Sequence, residues 1–189
     1  MTVRLFGSGV DFLLPARWPA PPADAVVRRA TSTYRHLRSI TYVERLASRP
    51  GNTVISHWLE AAPDRLQYTI PHGPAGIVIG AQRWDRSGPS ARWVHSVTQP
   101  LDVPSPIWES SRPTNAHLLG MTTIDSRRVV VVSLLDRSLP AWFTIRFDAH
   151  TLHPVSLDMT AAAHFMHHDF LSFNRPVPIR PPRGRGAAR

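Results

Sequence analysis

The densest local chemistry in the sequence is a run of imidazole and thioether side chains, His164-Phe165-Met166-His167-His168. On a strand, His164, Met166 and His168 point to one face, and Phe165 and His167 to the other. On a helix, His164 and His168 again share a face at i and i+4. Imidazole with thioether suits copper, above all Cu(I). His164, Met166 and His168 are therefore candidate metal ligands, with copper as the candidate ion. Met121, Met159 and His117 are further donors that nothing in the sequence brings together. The plainer reading is a half-exposed strand face in a chain with 10 histidines. No other cofactor is implied.

Catalysis needs a constellation, and the acids do not form one. Asp24, Glu44, Glu60, Asp64, Asp85, Asp102, Glu109, Asp125, Asp136, Asp148, Asp158 and Asp169 are scattered singly, most beside turns. There is no Gly-x-Ser-x-Gly, no phosphate loop and no His-Glu-x-x-His. Asp169 beside His167 and His168 is an acid–base suggestion that a strand-end hydrogen bond explains equally well. The chain has 0 cysteines, which removes disulfides, thiolate zinc sites, iron–sulfur clusters and thiol catalysis. No catalytic residue is assigned, and a non-enzymatic protein is expected.

Apolar side chains offer the other chemistry, which is binding. Trp58, Trp84, Trp93, Trp108 and Trp142 are expected to bury large areas in a curved sheet. The candidate lining of an apolar cavity is Leu66, Tyr68, Ile77, Ile79, Trp84, Trp108, Val130, Val132 and Phe143. Core and cavity lining differ only in whether space remains between the side chains. The loop at Ile107-Trp108 is a candidate lid, or plain packing.

The elements that must position these residues can be read from periodicity. Ala23 to Leu37 is the one good helix, with Val26, Val27, Ala30, Tyr34 and Leu37 on one face. After it the pattern turns to short strands at 40–46, 53–60, 65–70, 76–80, 82–84 and 92–95, separated by turn chemistry. Gln99 to Asn115 is irregular and carries Pro100, Pro104, Pro106 and Pro113, as a lid or crossover would. Strands return at 118–123, at the apolar run Val129–Leu135 (a central strand), at 140–147, at 155–159 and through 160–173. Consecutive strands with tight turns make an antiparallel meander. The fold class is mostly β (α+β): an open antiparallel half-barrel of about nine to eleven strands, with one main N-terminal helix and a long crossover loop.

The chain has 189 residues, enough for one ordinary domain with its own core. Residues 1–22 read as a Pro-rich arm, 23–182 as a single domain and 183–189 as a basic tail. The net charge is +9, and every one of the 22 basic residues is arginine. Five of them lie in 175–189, where there is no acid, so much of the basicity is terminal. Elsewhere the arginines are spread, and Arg183-Gly184-Arg185-Gly186 is a single short repeat, so nucleic acid is not an expected partner. No apolar run approaches the roughly 18 residues of a membrane span. Asp11 interrupts the early apolar stretch, unlike a secretory leader. Two placements stay open: a cytoplasmic protein, or an extracytoplasmic or membrane-associated piece of a longer chain.

Three segments resemble the bacterial lipoprotein-carrier superfamily, the LolA/LolB/LppX-like half-barrels. Ile79-Gly80-Ala81-Gln82-Arg83-Trp84-Asp85 is similar to the strand after that family's Gly-x-x-x-Trp turn. Ile145 to Pro154 is similar to its Asp-x-x-Thr-x-x-Pro hairpin, and Phe170 to Ile179 to its closing strand. The resemblance they carry extends over roughly residues 23–182. A narrower likeness lies in Leu14–Pro19 and Met159–Met166. These resemble the soluble extracytoplasmic domain that follows transmembrane helices in some actinobacterial copper-resistance (CopD-like) proteins. No segment of this sequence reads as a signal peptide and none carries a lipobox cysteine, so a departure from the carriers proper is expected. The resemblance implies a concave face that holds a lipid or other apolar ligand. A membrane surface or a membrane-embedded protein is then the further partner. The alternatives are a copper-handling or sensing domain built on His164, Met166 and His168, and a structural or interaction domain with no ligand.

Overall fold

Pro22 cannot continue a helix backwards, but its carbonyl can begin one. It accepts hydrogen bonds from the Ala25 amide at 2.9 Å and the Val26 amide at 3.3 Å. The helix α1 that follows spans Ala23–Arg35, with Asp24 in its first turn and Arg35 in its last, both matched to the helix dipole. Its buried stripe is Ala23, Val26, Val27, Ala30 and Tyr34. Leu37 is buried just beyond the helix end, two residues short of the predicted boundary.

Thirteen strands are seen among the described residues: β1 (Thr2–Arg4), β2 (Asp11–Leu13), β3 (Ser39–Arg49), β4 (Asn52–Ala61), β5 (Arg65–Thr69), β6 (Ala75–Ile79), β7 (Gln82–Arg86), β8 (Val94–Val97), β9 (Thr114–Ile124), β10 (Arg127–Asp136), β11 (Ala141–Asp148), β12 (Pro154–Ala161) and β13 (His164–Phe173). The structure, a computed structural model, describes residues 2–4, 11–13, 22–49, 51–109, 114–136 and 140–182, with backbone alone at 2–4, 11–13 and 114–115. The predicted tail at 183–189 lies outside the described residues. Strand order is β1-β2-β9-β10-β11-β12-β13-β3-β4-β5-β6-β7-β8. The order does not close, so the described residues form a mostly β, antiparallel, open sheet with one helix, as predicted. Eleven strands follow the helix, and β1 and β2 add two more from the arm.

The sequence reading ends one strand at 159 and begins the next at 160, whereas β12 runs on to Ala161 and β13 starts only at His164. They are separate because Ala162 and Ala163 turn, with Ala163 at φ 57°. Alanine carries no turn signal, so this boundary is invisible to residue-type rules. By contrast Asp125 and Ser126, at φ 46° and 65°, form the expected hairpin turn between β9 and β10.

The chain divides into two compact units. Unit 1 is Met1–Tyr34 with Pro106–His167, and unit 2 is Arg35–Ser105 with His168–Arg189. In unit 1, β11 alternates strictly, burying Ala141, Phe143, Ile145 and Phe147. Across from them on β10 stand Asp136, Leu134, Val132 and Val130. The other side of β10 buries Val129 and Val131, packed against Ile124 and Val155. Burial on both faces is why Val129–Leu135 reads as one apolar run. Trp108 packs edge-on against Tyr34 of α1 at 5.0 Å and against Phe147 at 5.6 Å. Its indole N–H donates to Thr31 Oγ1 at 3.1 Å.

Candidate functional site

In unit 2, register decides which side chains meet. Tyr42 faces Trp58, Trp58 faces Tyr68 and Tyr68 faces Gly76. Paired residues lie on the same side of a sheet, so this row crosses β3, β4, β5 and β6 on one face. Tyr42 and Trp58 stack at 5.9 Å with their planes 5° apart, and Trp58 meets Tyr68 at 5.1 Å. At the other end of the row, Tyr42 stacks on His168 at 4.8 Å and leans on Phe170 at 5.7 Å. The row ends at Gly76 for a steric reason. A Cβ there would sit 2.4 Å from the Tyr68 ring.

The same face carries a polar cluster. Ile40, Tyr42 and Glu44 stand opposite Glu60, Trp58 and Ser56. The Trp58 indole N–H donates to Ser56 Oγ at 2.8 Å, and Ser56 Oγ donates to Glu44 Oε1 at 3.0 Å. Glu44 Oε2 pairs with His168 Nε2 at 2.9 Å. Burial pushes the Glu44 carboxyl up, but hydrogen bonds and charge from His168, with bonds from Ser56 and Trp58, outweigh it and hold the group below its ordinary value. Serine, glutamate and histidine meet here in the wrong order for a nucleophilic triad. Ser56 donates to the carboxylate rather than to the imidazole, so no histidine base takes its proton.

Glu60 is different. It is 5% exposed, and Tyr42 O–H donates to its Oε1 at 3.0 Å. Its Oε2 is buried and has no hydrogen-bond partner. Burial raises its pKa from 4.5 to about 7, with the Tyr42 bond opposing.

The predicted lining residues separate by unit and by face. Leu66 and Tyr68 lie on the aromatic face of unit 2, with Leu66 directly opposite Glu60 and Val78. Ile77 is opposite Gln67 and Trp84, and Ile79 is opposite Gln82, which puts Ile77, Ile79 and Trp84 on the reverse face. There Trp84 packs on His95 at 5.3 Å. Leu66 and Tyr68 therefore do not line a single face with the other three. Trp108, Val132 and Phe143 fall in the unit 1 core with essentially no exposed surface, while Val130 on the same face is half-buried. Trp108 is thus packing against helix and strand, the plainer of its two readings. Contrary to the burial expected of the tryptophans, Trp142 points to the alternate side of β11 and is 43% exposed.

The histidine run lies on β13 as a strand. His164 is exposed and bonds its own turn at Ala162 O, Met166 is buried, and His168 is committed to Glu44. His167 pairs with Asp158, itself bound by Arg146 at 2.6 Å, and Asp169 pairs with Arg45. Burial raises the Asp158 carboxyl, but His167 and Arg146 outweigh it and hold it low. No group of three His, Cys, Asp or Glu residues able to hold a metal occurs among the described residues. In the sequence, Glu44 and Glu60 stand only among the scattered acids. A signal for Glu60 was present: Ser56, Trp58 and Glu60 alternate at period two, so an inward Trp58 carries Glu60 inward with it.

A surface groove of about 290 Å³ also opens in unit 2, lined by Arg38, Ser39, Ala61, Asn174, Arg175, Pro176 and Val177.

Several solved structures share this fold. LprF from Mycobacterium bovis matches with a TM-score of 0.59 at 14% identity, over 88% of this chain and 99% of that chain. The Mycobacterium tuberculosis lipoprotein LppX matches with 0.59 at 14% identity, over 86% and 100%. An uncharacterized conserved protein from Thermus thermophilus matches with 0.56 at 8% identity, over 89% and 99%. No family model and no curated protein matches the chain. Among the described residues no helix is long and apolar enough to cross a membrane.

Proposed function

We propose that the chain is a non-enzymatic module that binds an apolar or lipidic ligand, outside the cytoplasm and in exchange with a membrane surface. The observation that carries this reading is the ring row of unit 2, in which Tyr42, Trp58, Tyr68, His168 and Phe170 form one continuous aromatic surface on a sheet face. Trp58, Leu66 and Tyr68 on that face are only half-buried, so apolar area remains to be covered. Covering it is worth about 25 cal/mol per Å² before the costs of association. The fold shared with a mycobacterial lipoprotein supports the same reading. The polar groups of the face mostly satisfy one another, as a binding surface requires.

The test is native mass spectrometry of the purified protein, lipid extraction, and titration with an apolar fluorophore. An apolar mass or saturable fluorophore uptake is expected, weakened at least fivefold by Trp58→Ala. No uptake in any arm would sink the reading. A copper titration of the same sample tests the metal alternative. One copper per chain, lost when His164, Met166 and His168 are replaced together, would put that function in its place.

A further inference from the structure

We propose that Glu60 is the polar recognition point of the aromatic face and that it reads an uncharged hydrogen-bond acceptor, the carbonyl of an ester-bearing apolar ligand, through its Oε2. This inference rests on the binding function proposed above and names the chemistry of its ligand.

The geometry assigns the roles of the two oxygens. Tyr42 O–H donates to Oε1, so Oε1 is an acceptor already in use. A protonated carboxyl then carries its hydrogen on Oε2, and Oε2 is the atom with no partner. The buried acid therefore offers one unspent donor. Natural folds leave few such groups unpaired, and those that remain often mark functional sites. The proton is retained near neutral pH because burial disfavours the charged form.

Position points to the ligand as well. Glu60 lies on β4 between Ile40 of β3 and Leu66 of β5, two residues from Trp58. Leu66, directly opposite Glu60, is half-buried, and in the proposed complex the apolar chain lies along the ring row and meets Glu60 beside it. A carboxylate headgroup is disfavoured here. Glu44, two residues along β3 from Tyr42, is held ionised by His168 and Ser56, and a second anion on this face would repel it. An ester carbonyl accepts the hydrogen bond and brings no charge.

The experiment compares three probes of equal chain length: an alkane, a fatty-acid methyl ester and the free fatty acid. Each displaces an apolar fluorophore from wild-type protein, Glu60→Gln and Glu60→Leu. The wild type is expected to prefer the ester over the alkane by about tenfold, the size of one net hydrogen bond. Glu60→Gln keeps a donor and keeps the preference, whereas Glu60→Leu binds alkane and ester alike. The ester preference of the wild type falls as pH rises through 7, and that of Glu60→Gln does not. The other titratable and charged groups on this face are Tyr42 and Glu44 of β3, Tyr68 of β5, Arg83 and Asp85 of β7 and His168 of β13. All of them remain in Glu60→Gln, so the comparison isolates Glu60. Equal affinity for alkane and ester in the wild type overturns the inference and leaves apolar binding standing. Tighter binding of the free acid also overturns it. Failure to bind any probe removes both.

Discussion

Glu60 makes folding stability depend on pH in a direction opposite to that of most carboxylates. Its folded pKa, about 7, lies above its ordinary value of 4.5. The folded state then holds more protons than the unfolded chain between those values. Stability is fullest below pH 4.5, is lost as pH rises toward 7, and is flat above. The loss is on the order of 3 kcal/mol, since one pKa unit is about 1.4 kcal/mol. Denaturant titrations at pH 5 and 8 are expected to show it in the wild type and not in Glu60→Gln. Glu44 has the opposite sign: its pKa is lowered, so its contribution is present above the ordinary value and fades as pH falls. Glu44→Ala leaves His168 and Ser56 without their shared acceptor, and a loss of about 2 kcal/mol is expected in the same titration. The acids themselves were visible in the sequence. Their roles were not, because Glu44 and His168 are separated by 124 positions and meet only when two strands pair.

At the scale of elements, local signals were enough wherever a turn or a stripe fell within a few residues. The Asp-x-x-Thr hairpin is one case. Asp148 Oδ1 accepts from the His150 amide at 2.9 Å, from the Thr151 amide at 2.8 Å and from the Thr151 hydroxyl at 3.1 Å. The spacing is the mechanism, since an Asx turn needs its acceptor two and three residues back. Asp148→Ala is expected to cost about 1 kcal/mol in thermal unfolding, with Asp148→Asn intermediate. Trp108 shows the limit. Proline content marks its loop as irregular, but only the structure shows the indole seated between Tyr34 and Phe147 with its N–H on Thr31. Trp108→Ala is expected to cost about 3–5 kcal/mol by urea denaturation, and Trp108→Phe distinctly less because most of the buried area survives.

For the whole molecule, an open strand order leaves two ends. One is β8, whose Val94 and Val97 are 63% and 74% exposed. An apolar strand with a free backbone edge is a template for pairing with another chain. Val97→Lys is expected to lower self-association at high concentration, read by light scattering, with the melting temperature nearly unchanged. The antiparallel open sheet was legible because strand and turn signals recur from residue 40 to 173, whereas β1 and β2 fall in a stretch whose prolines read as an arm. The division into two units was not, since each is assembled from segments distant in the chain. Unit 2 contains 35–105 and then nothing more until His168. That interruption matters during translation. Tyr42 and Glu44 leave the ribosome long before their companions on β13, and the 124 positions that separate Glu44 from His168 take roughly 6 to 25 seconds to synthesise. Throughout that interval one flank of β3, aromatic and acidic, waits without the strand that covers it. The demand this protein places on nascent-chain chaperones is thus set by where its last strand is encoded as well as by how stable the finished sheet is.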